Sequence, residues 1–174
     1  MERIISLFAD ILEYPQSNLL KVVQECQSET ITTNPEAGAM LGEFRGFVEG
    51  TPLNRLQEIY SSTFDLNATS CLYAGHYLFG ESYERSMFLI GLKEHYNACG
   101  FTAENELPDH LTVLLRFIAV CDKVDVRDEI ISEALLPALT LMTGGKGSEN
   151  ESQSQYFIAL KALEAALRQY KKEA

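Results

Sequence analysis

The chain has 174 residues, 46% of them hydrophobic, with nine Phe, eight Tyr and no Trp. That is enough apolar material to bury a core and too much for a disordered chain. Asp and Glu number 25 against 14 Lys and Arg, and the resulting charge of −11 disfavours nucleic acid, whose phosphates need clustered cations, and suits a cationic partner.

In chain order, Ile4, Ile5, Phe8, Ile11 and Leu12 recur at three- and four-residue steps and line one helix face, which Pro15 stops. Asp10 and Glu13 interrupt this run too early for a secretory core. Leu19, Leu20, Val22, Val23 and Cys26 mark a second, shorter helix, and Ser28 to Asn34 reads as a connection. Pro35 opens a third helix with Asn34 as its cap; Phe44, Phe47 and Val48 lie on it, and Gly50 ends it. Thr51-Pro52 predicts a helix start, the threonine capping and the proline at the first helical position. Leu53, Leu56, Ile59, Tyr60, Thr63 and Phe64 follow on one face.

A turn and a short helix through Tyr73, Tyr77 and Leu78 are expected before Gly80. The next helix spans about Ser82 to Cys99, with Gly100 as a left-handed C-terminal cap. Pro108 is read as opening another helix, with Leu111, Leu114, Leu115, Ile118 and Cys121 facing inward. Arg127 to Met142 is helical, kinked or split by Pro137. Gly144 to Ser148 reads as a flexible linker too short to separate domains. The final helix carries Tyr156, Phe157, Leu160, Leu163, Leu167 and Tyr170, with Lys171 and Lys172 at its negative end. The sum is an all-α fold, a single globular domain over residues 1–174 with about seven to nine helices.

No apolar stretch approaches the roughly 20 residues of a membrane span, so no direct membrane insertion is expected. Cys26, Cys71, Cys99 and Cys121 form no C-x-x-C pair and no zinc pattern; reduced thiols in a cytoplasmic protein are the expectation. His95 and Cys99 share a helix face, but further metal ligands cannot be assigned to them. Gly144 to Gly147 lacks the spacing of a phosphate-binding loop.

Glu106, Asp109 and His110 cluster around Pro108. Asp109 is placed in a first helical turn, where a carboxylate favours the positive end of the dipole, and His110 can change charge near neutral pH. Thr112 is the only nearby hydroxyl, and neither a strained elbow nor a Gly-rich loop flanks it, so no nucleophile is indicated. The plainer alternative is that Asp109 caps a helix and His110 packs against a neighbour. Glu81 and Arg85 are spaced for an intrahelical ion pair. Arg85 can instead pin Asp65 or Asp109 and hold two segments together. Tyr73, Tyr77, Phe79 and Tyr83 are read as core or groove wall.

Taken in order, Phe64-Asp65, Gly80-Glu81-Ser82 with Arg85, and Glu106-Leu107-Pro108-Asp109-His110-Leu111 resemble the nitrate reductase delta-subunit family, the NarJ-like chaperones related to TorD and DmsD. The resemblance is strongest over about residues 56–120 and implies a NarJ/TorD-like helical fold without catalytic activity. It implies binding of the N-terminal segment of a respiratory molybdoenzyme catalytic subunit, often a twin-arginine leader or its remnant. The subunit is held until the molybdenum cofactor is inserted, before membrane attachment or export. No cofactor is bound stably by such a chaperone; the client's molybdopterin guanine dinucleotide is handled indirectly. Glu106, Asp109 and His110 then lie at the peptide-binding region with Phe64, Asp65 and Tyr77 as neighbours, and Glu81 and Arg85 belong to the same motif set. No metal or catalytic residue is implied, and monomer and homodimer both stay open. Two positions depart from the pattern: Ser86 stands where relatives often have glycine, and Arg116 where they often have an acid. A generic helical peptide-binding adaptor or regulatory module is the alternative reading.

Overall fold

The computed structural model describes residues 2–66, 70–103, 105–144 and 154–173. Among them run α1 (Glu2–Ile11), α2 (Leu19–Thr30), α3 (Pro35–Gly50), α4 (Leu53–Tyr60) and α5 (Ala74–Phe79). These are followed by α6 (Tyr83–Ala98), α7 (Leu111–Val120), α8 (Val124–Ile130), α9 (Leu136–Gly144) and α10 (Tyr156–Glu173). Two π turns, Ser61–Asp65 and Ile131–Leu135, extend α4 and join α8 to α9. The described residues thus form nine continuous helical rods and no strand beyond one isolated bridge, Tyr73 to His110. The all-α expectation holds. Residues 145–148 of the expected linker lie outside the described residues.

The apolar faces meet in one core. α1 packs against α2 and α7, and α3 packs against α2 and α10. Phe8, Phe44, Phe117 and Tyr156 are fully buried within it. The start of α10 is set by aromatic edges: the Tyr156 ring lies 5.3 Å from Phe44, 5.5 Å from Tyr60 and 5.6 Å from Phe64. Glu164 on α10 accepts from Thr140 and Thr143 of α9 and pairs with Arg168, fixing that packing from the solvent side.

Asn34 caps α3 as expected, accepting from the Ala37 N–H at 2.9 Å while its amide donates to the Ala165 carbonyl at 3.0 Å. Gly100 takes the left-handed φ of +65° that its capping role requires. Other boundaries differ from expectation. α2 continues to Thr30, into the supposed connection, because Thr30 is buried against Cys26; packing overrides the low propensity of the segment. Thr51 does not cap α4. Its hydroxyl donates back to the Phe47 carbonyl at 2.6 Å, and Pro52 takes the cap position. Near Pro137 the rod continues through a π turn, with the Leu136 N–H donating to Ile131; the wider turn re-pairs the backbone just before a residue that has no N–H to give.

α7 starts at Leu111, not at Pro108. Residues 109–111 pair instead with 72–74: Ala74 N–H donates to the Asp109 carbonyl at 2.9 Å and Leu111 N–H to the Leu72 carbonyl at 2.8 Å. Asp109 therefore precedes the helix, and its carboxylate is not in a first helical turn.

Candidate functional site

An open pocket of about 840 Å³ lies where residues 13–14 after α1, α4, its π turn, residues 71–73, residues 101–103 and 105–106, and the start of α7 converge. The first π turn shapes one side of it. Its Leu66 N–H reaches back five residues to Ser61 at 2.9 Å, which adds a residue to the turn. Phe64 is thereby buried against Tyr60, with ring centroids 5.1 Å apart, while Asp65 stays exposed on the rim. The Ser70 hydroxyl donates to the Thr63 carbonyl and closes this turn.

Aromatic and acidic residues dominate the lining: Tyr14, Tyr60, Phe64, Tyr73 and Phe101 with Glu13, Asp65 and Glu106. Arg116 also lines it, but is already held by Glu13 at 2.8 Å and Asp10 at 3.3 Å. Tyr73 donates to Glu106 at 2.8 Å; burial, reinforced by that carboxylate, pushes the phenol up to about 12, so it remains a donor. His110 lines the pocket with its ring 5.0 Å from Tyr73 and its Nδ1 2.8 Å from the Thr112 hydroxyl. Burial holds His110 below the usual imidazole range against the opposing pull of Glu106, Asp109 and Asp65, so the neutral ring predominates at pH 7.

Of the eight residues expected at the site, Phe64, Asp65, Glu106 and His110 line this pocket. Tyr77, Glu81, Arg85 and Asp109 sit beside it and do not contribute to its lining. Asp109 is fully buried; its Oδ2 accepts from the Gly75 N–H at 3.2 Å and from Arg85 Nε and Nη2 at 3.3 and 3.2 Å. Arg85 extends the chain to Glu81 at 2.7 Å. So Arg85 pins Asp109, not Asp65, and ties α5, α6 and the start of α7 into one unit. Glu81 lies before the first turn of α6, so its pair with Arg85 is a link from the preceding loop and not one within the helix. Ser82 caps α6 by accepting from the Arg85 N–H, and Gly80, at φ +62° and ψ −153°, takes a backbone conformation essentially reserved for glycine.

Gly75 has a separate reason to be glycine. A Cβ there would sit 2.7 Å from Asp109 Oδ2 and 3.1 Å from Phe88. Tyr83 departs from its reading as core or groove wall: it is 75% exposed on α6. Glu13, Tyr14, Phe101, Thr102, Ala103 and Asn105 were not anticipated at a site. Nothing local marks them, since they flank helices and reach the pocket only through packing. Asn105 among them adopts a left-handed φ of 62°, which asparagine tolerates.

Asp109 and His110 do not form a catalytic relay. The carboxylate faces Arg85 and Gly75, and the imidazole faces Thr112, which is 4% exposed. What the arrangement offers is an acidic, aromatic-walled recess on a helical scaffold, braced from behind by a buried ion pair. Among the described residues no helix is long and apolar enough to cross a membrane.

These features define an all-helical protein with an acidic, aromatic-walled recess. The same fold occurs in a solved protein from Archaeoglobus fulgidus described under redox enzyme maturation, with a TM-score of 0.56, 19% identity, and coverage of 99% of this chain and 94% of that one. The chain belongs to the nitrate reductase delta subunit family, whose model matches residues 33–141. It is 24% identical over 151 residues to NarW of Escherichia coli (strain K12), named as a nitrate reductase molybdenum cofactor assembly chaperone, covering 86% of this chain and 62% of that one. It is 38% identical over 68 residues to NarJ of Bacillus subtilis (strain 168), given the same description, covering 38% of this chain and 37% of that one. The chain thus spans less than two thirds of the length of either relative. Both relatives are named as chaperones, not catalysts.

Proposed function

We propose that this protein is a cytoplasmic chaperone, not an enzyme, that binds the N-terminal segment of a molybdoenzyme catalytic subunit. It holds that subunit competent while the molybdenum cofactor is inserted, and it handles the cofactor only through the client. The observation that carries this reading is the pocket itself: Phe64, Asp65, Glu106 and His110, drawn from separate motifs, line one acidic recess walled by aromatic rings. An amphipathic peptide can lay its apolar face on Tyr60, Phe64 and Phe101 while its arginines reach Asp65 and Glu106. Asp109, Arg85 and Glu81 support the recess from behind, and Tyr77 belongs to the adjoining helix α5.

The test is capture by tagged protein from anaerobically grown native cells, with the captured chains identified by mass spectrometry. A large molybdoenzyme catalytic subunit should be recovered, and lost when its N-terminal segment is deleted. The Asp65→Asn, Glu106→Gln variant should bind that segment at least about tenfold more weakly, since a hydrogen bond to a charged group contributes roughly 1.5–3 kcal/mol. No such subunit recovered from cells that express one overturns the reading in favour of a generic helical adaptor.

A further inference from the structure

Cys99 ends α6 and Cys121 ends α7, and their sulfurs lie 3.4 Å apart. Nothing in the pocket chemistry uses them. The contact is held by rigid packing one turn earlier on each helix, where the Tyr96 and Phe117 rings are 4.6 Å apart. Phe101 closes over both rings, 5.1 Å from Tyr96 and 5.5 Å from Phe117. Lys123 adds a second tie between the two helix ends by donating to the Ala98 carbonyl at 3.0 Å. Cys121 is 2% exposed, whereas Cys99 is half-buried and so reachable from solvent. One accessible thiol backed by one shielded thiol in van der Waals contact is the geometry of an attacking and a resolving pair; burial and the adjacent Cys121 sulfur raise the Cys99 pKa, so the attack is slow at neutral pH and speeds up as pH rises. The segment between them carries Phe101, Thr102, Ala103, Asn105, Glu106 and His110, which are one wall of the pocket.

We propose that Cys99 and Cys121 form a reversible dithiol–disulfide site, oxidised by small-molecule disulfides, whose bond covalently closes the segment bearing this wall. The Cys99 thiolate attacks one sulfur of the small disulfide, forming a mixed disulfide and releasing one small thiol. The Cys121 sulfur then attacks the Cys99 sulfur and expels the second small thiol. The protein loses two hydrogens, as protons that end on the two released thiols, and the two electrons reduce the oxidant. The closed loop loses freedom at both ends, so the wall stiffens. The bridge itself stands independently of the chaperone reading; only its effect on client binding rests on that reading.

The full chain, freed of reductant, is treated with oxidised glutathione and read by intact mass, peptide mapping and thermal unfolding. The expected product is two hydrogens lighter, joins the peptides containing Cys99 and Cys121, melts about 5–10 °C higher and reverts with dithiothreitol. Cys121→Ser should stop at a glutathione adduct on Cys99, and Cys26→Ser, Cys71→Ser should form the bridge normally. Amide exchange across residues 100–110 should slow on oxidation. Failure to join Cys99 to Cys121, or a bridge through Cys26 or Cys71 instead, overturns the proposal. So does one equivalent of Zn²⁺ held by the two thiols with Asp122 so firmly that glutathione cannot oxidise them; those three side chains lie close enough to test that outcome directly. A basic amphipathic peptide should bind the oxidised and reduced forms with affinities about fivefold or more apart. Equal affinities overturn the coupling to the pocket, and binding to neither form counts against the chaperone reading while leaving the mass result intact.

Discussion

Asp109→Ala should destabilise the fold by about 1–3 kcal/mol, although the residue has no exposed surface in the pocket it adjoins. The magnitude combines three contributions. Removing one partner of a buried ion pair costs about 3–5 kcal/mol when the other charge is left stranded. Arg85 is 13% exposed and keeps Glu81 at 2.7 Å, so its loss falls at the low end of that range. The Gly75 N–H loses its acceptor, which adds roughly 1 kcal/mol. Against this, Asp109 Oδ1 is buried without a hydrogen-bond partner among the described residues, and its removal returns about 1–3 kcal/mol. Urea unfolding followed by far-UV circular dichroism gives the change as a shift of midpoint at constant slope. The double variant Arg85→Ala, Asp109→Ala should show a coupling of about 1–3 kcal/mol in a mutant cycle. A midpoint within error of wild type, or strict additivity in the cycle, would refute the view that this pair braces α5, α6 and the start of α7. Client affinity should fall in Asp109→Ala through misplacement of His110 and the 72–74 segment, and Asp109→Ala, His110→Ala with unchanged affinity would remove both residues from any account of binding.

Gly75→Ala should cost about 1–3 kcal/mol in the same urea assay even after its gain in helix propensity, because the new Cβ meets Asp109 Oδ2 at 2.7 Å; a neutral result means the carboxylate moves freely and the brace is loose. Burial lowers the His110 pKa, so below about pH 6.5 the unfolded chain binds a proton that the folded chain resists, and stability falls as pH drops from there towards the folded pKa. His110→Gln should flatten that part of the stability profile, and an unchanged difference between pH 7 and pH 5.5 contradicts the assignment. Tyr156→Phe removes a buried hydroxyl that has no hydrogen-bond partner among the described residues, so stability should stay level or rise by up to about 1–2 kcal/mol; a loss beyond about 1 kcal/mol shows that the hydroxyl is satisfied.

The helical identity of the chain and the apolar faces of α1, α2, α3, α4, α7 and α10 were legible in the sequence, since both come from a period of 3.6 residues and from caps such as Asn34 and Gly100 that act within one turn; no face was legible for α6, α8 or α9. The motif order that marks the family was equally local, and it named Phe64, Asp65, Glu106 and His110. Tertiary structure decided where those residues point. The pairing of 72–74 with 109–111 moved the start of α7 to Leu111 and turned Asp109 inward to Arg85 and Gly75. No spacing announces that pairing, because its two strands of backbone are more than thirty residues apart. The π turn at Ser61–Asp65 likewise arises where packing of Phe64 against Tyr60 and Tyr156 outweighs regular helix geometry. Cys99 and Cys121 looked scattered along the chain and meet only because two aromatic-packed helices end side by side. Periodicity and capping operate over a few residues and so can be read from sequence. A pocket, a buried ion pair and a thiol contact are made between segments distant in the chain, and their geometry is set by the whole core closing at once.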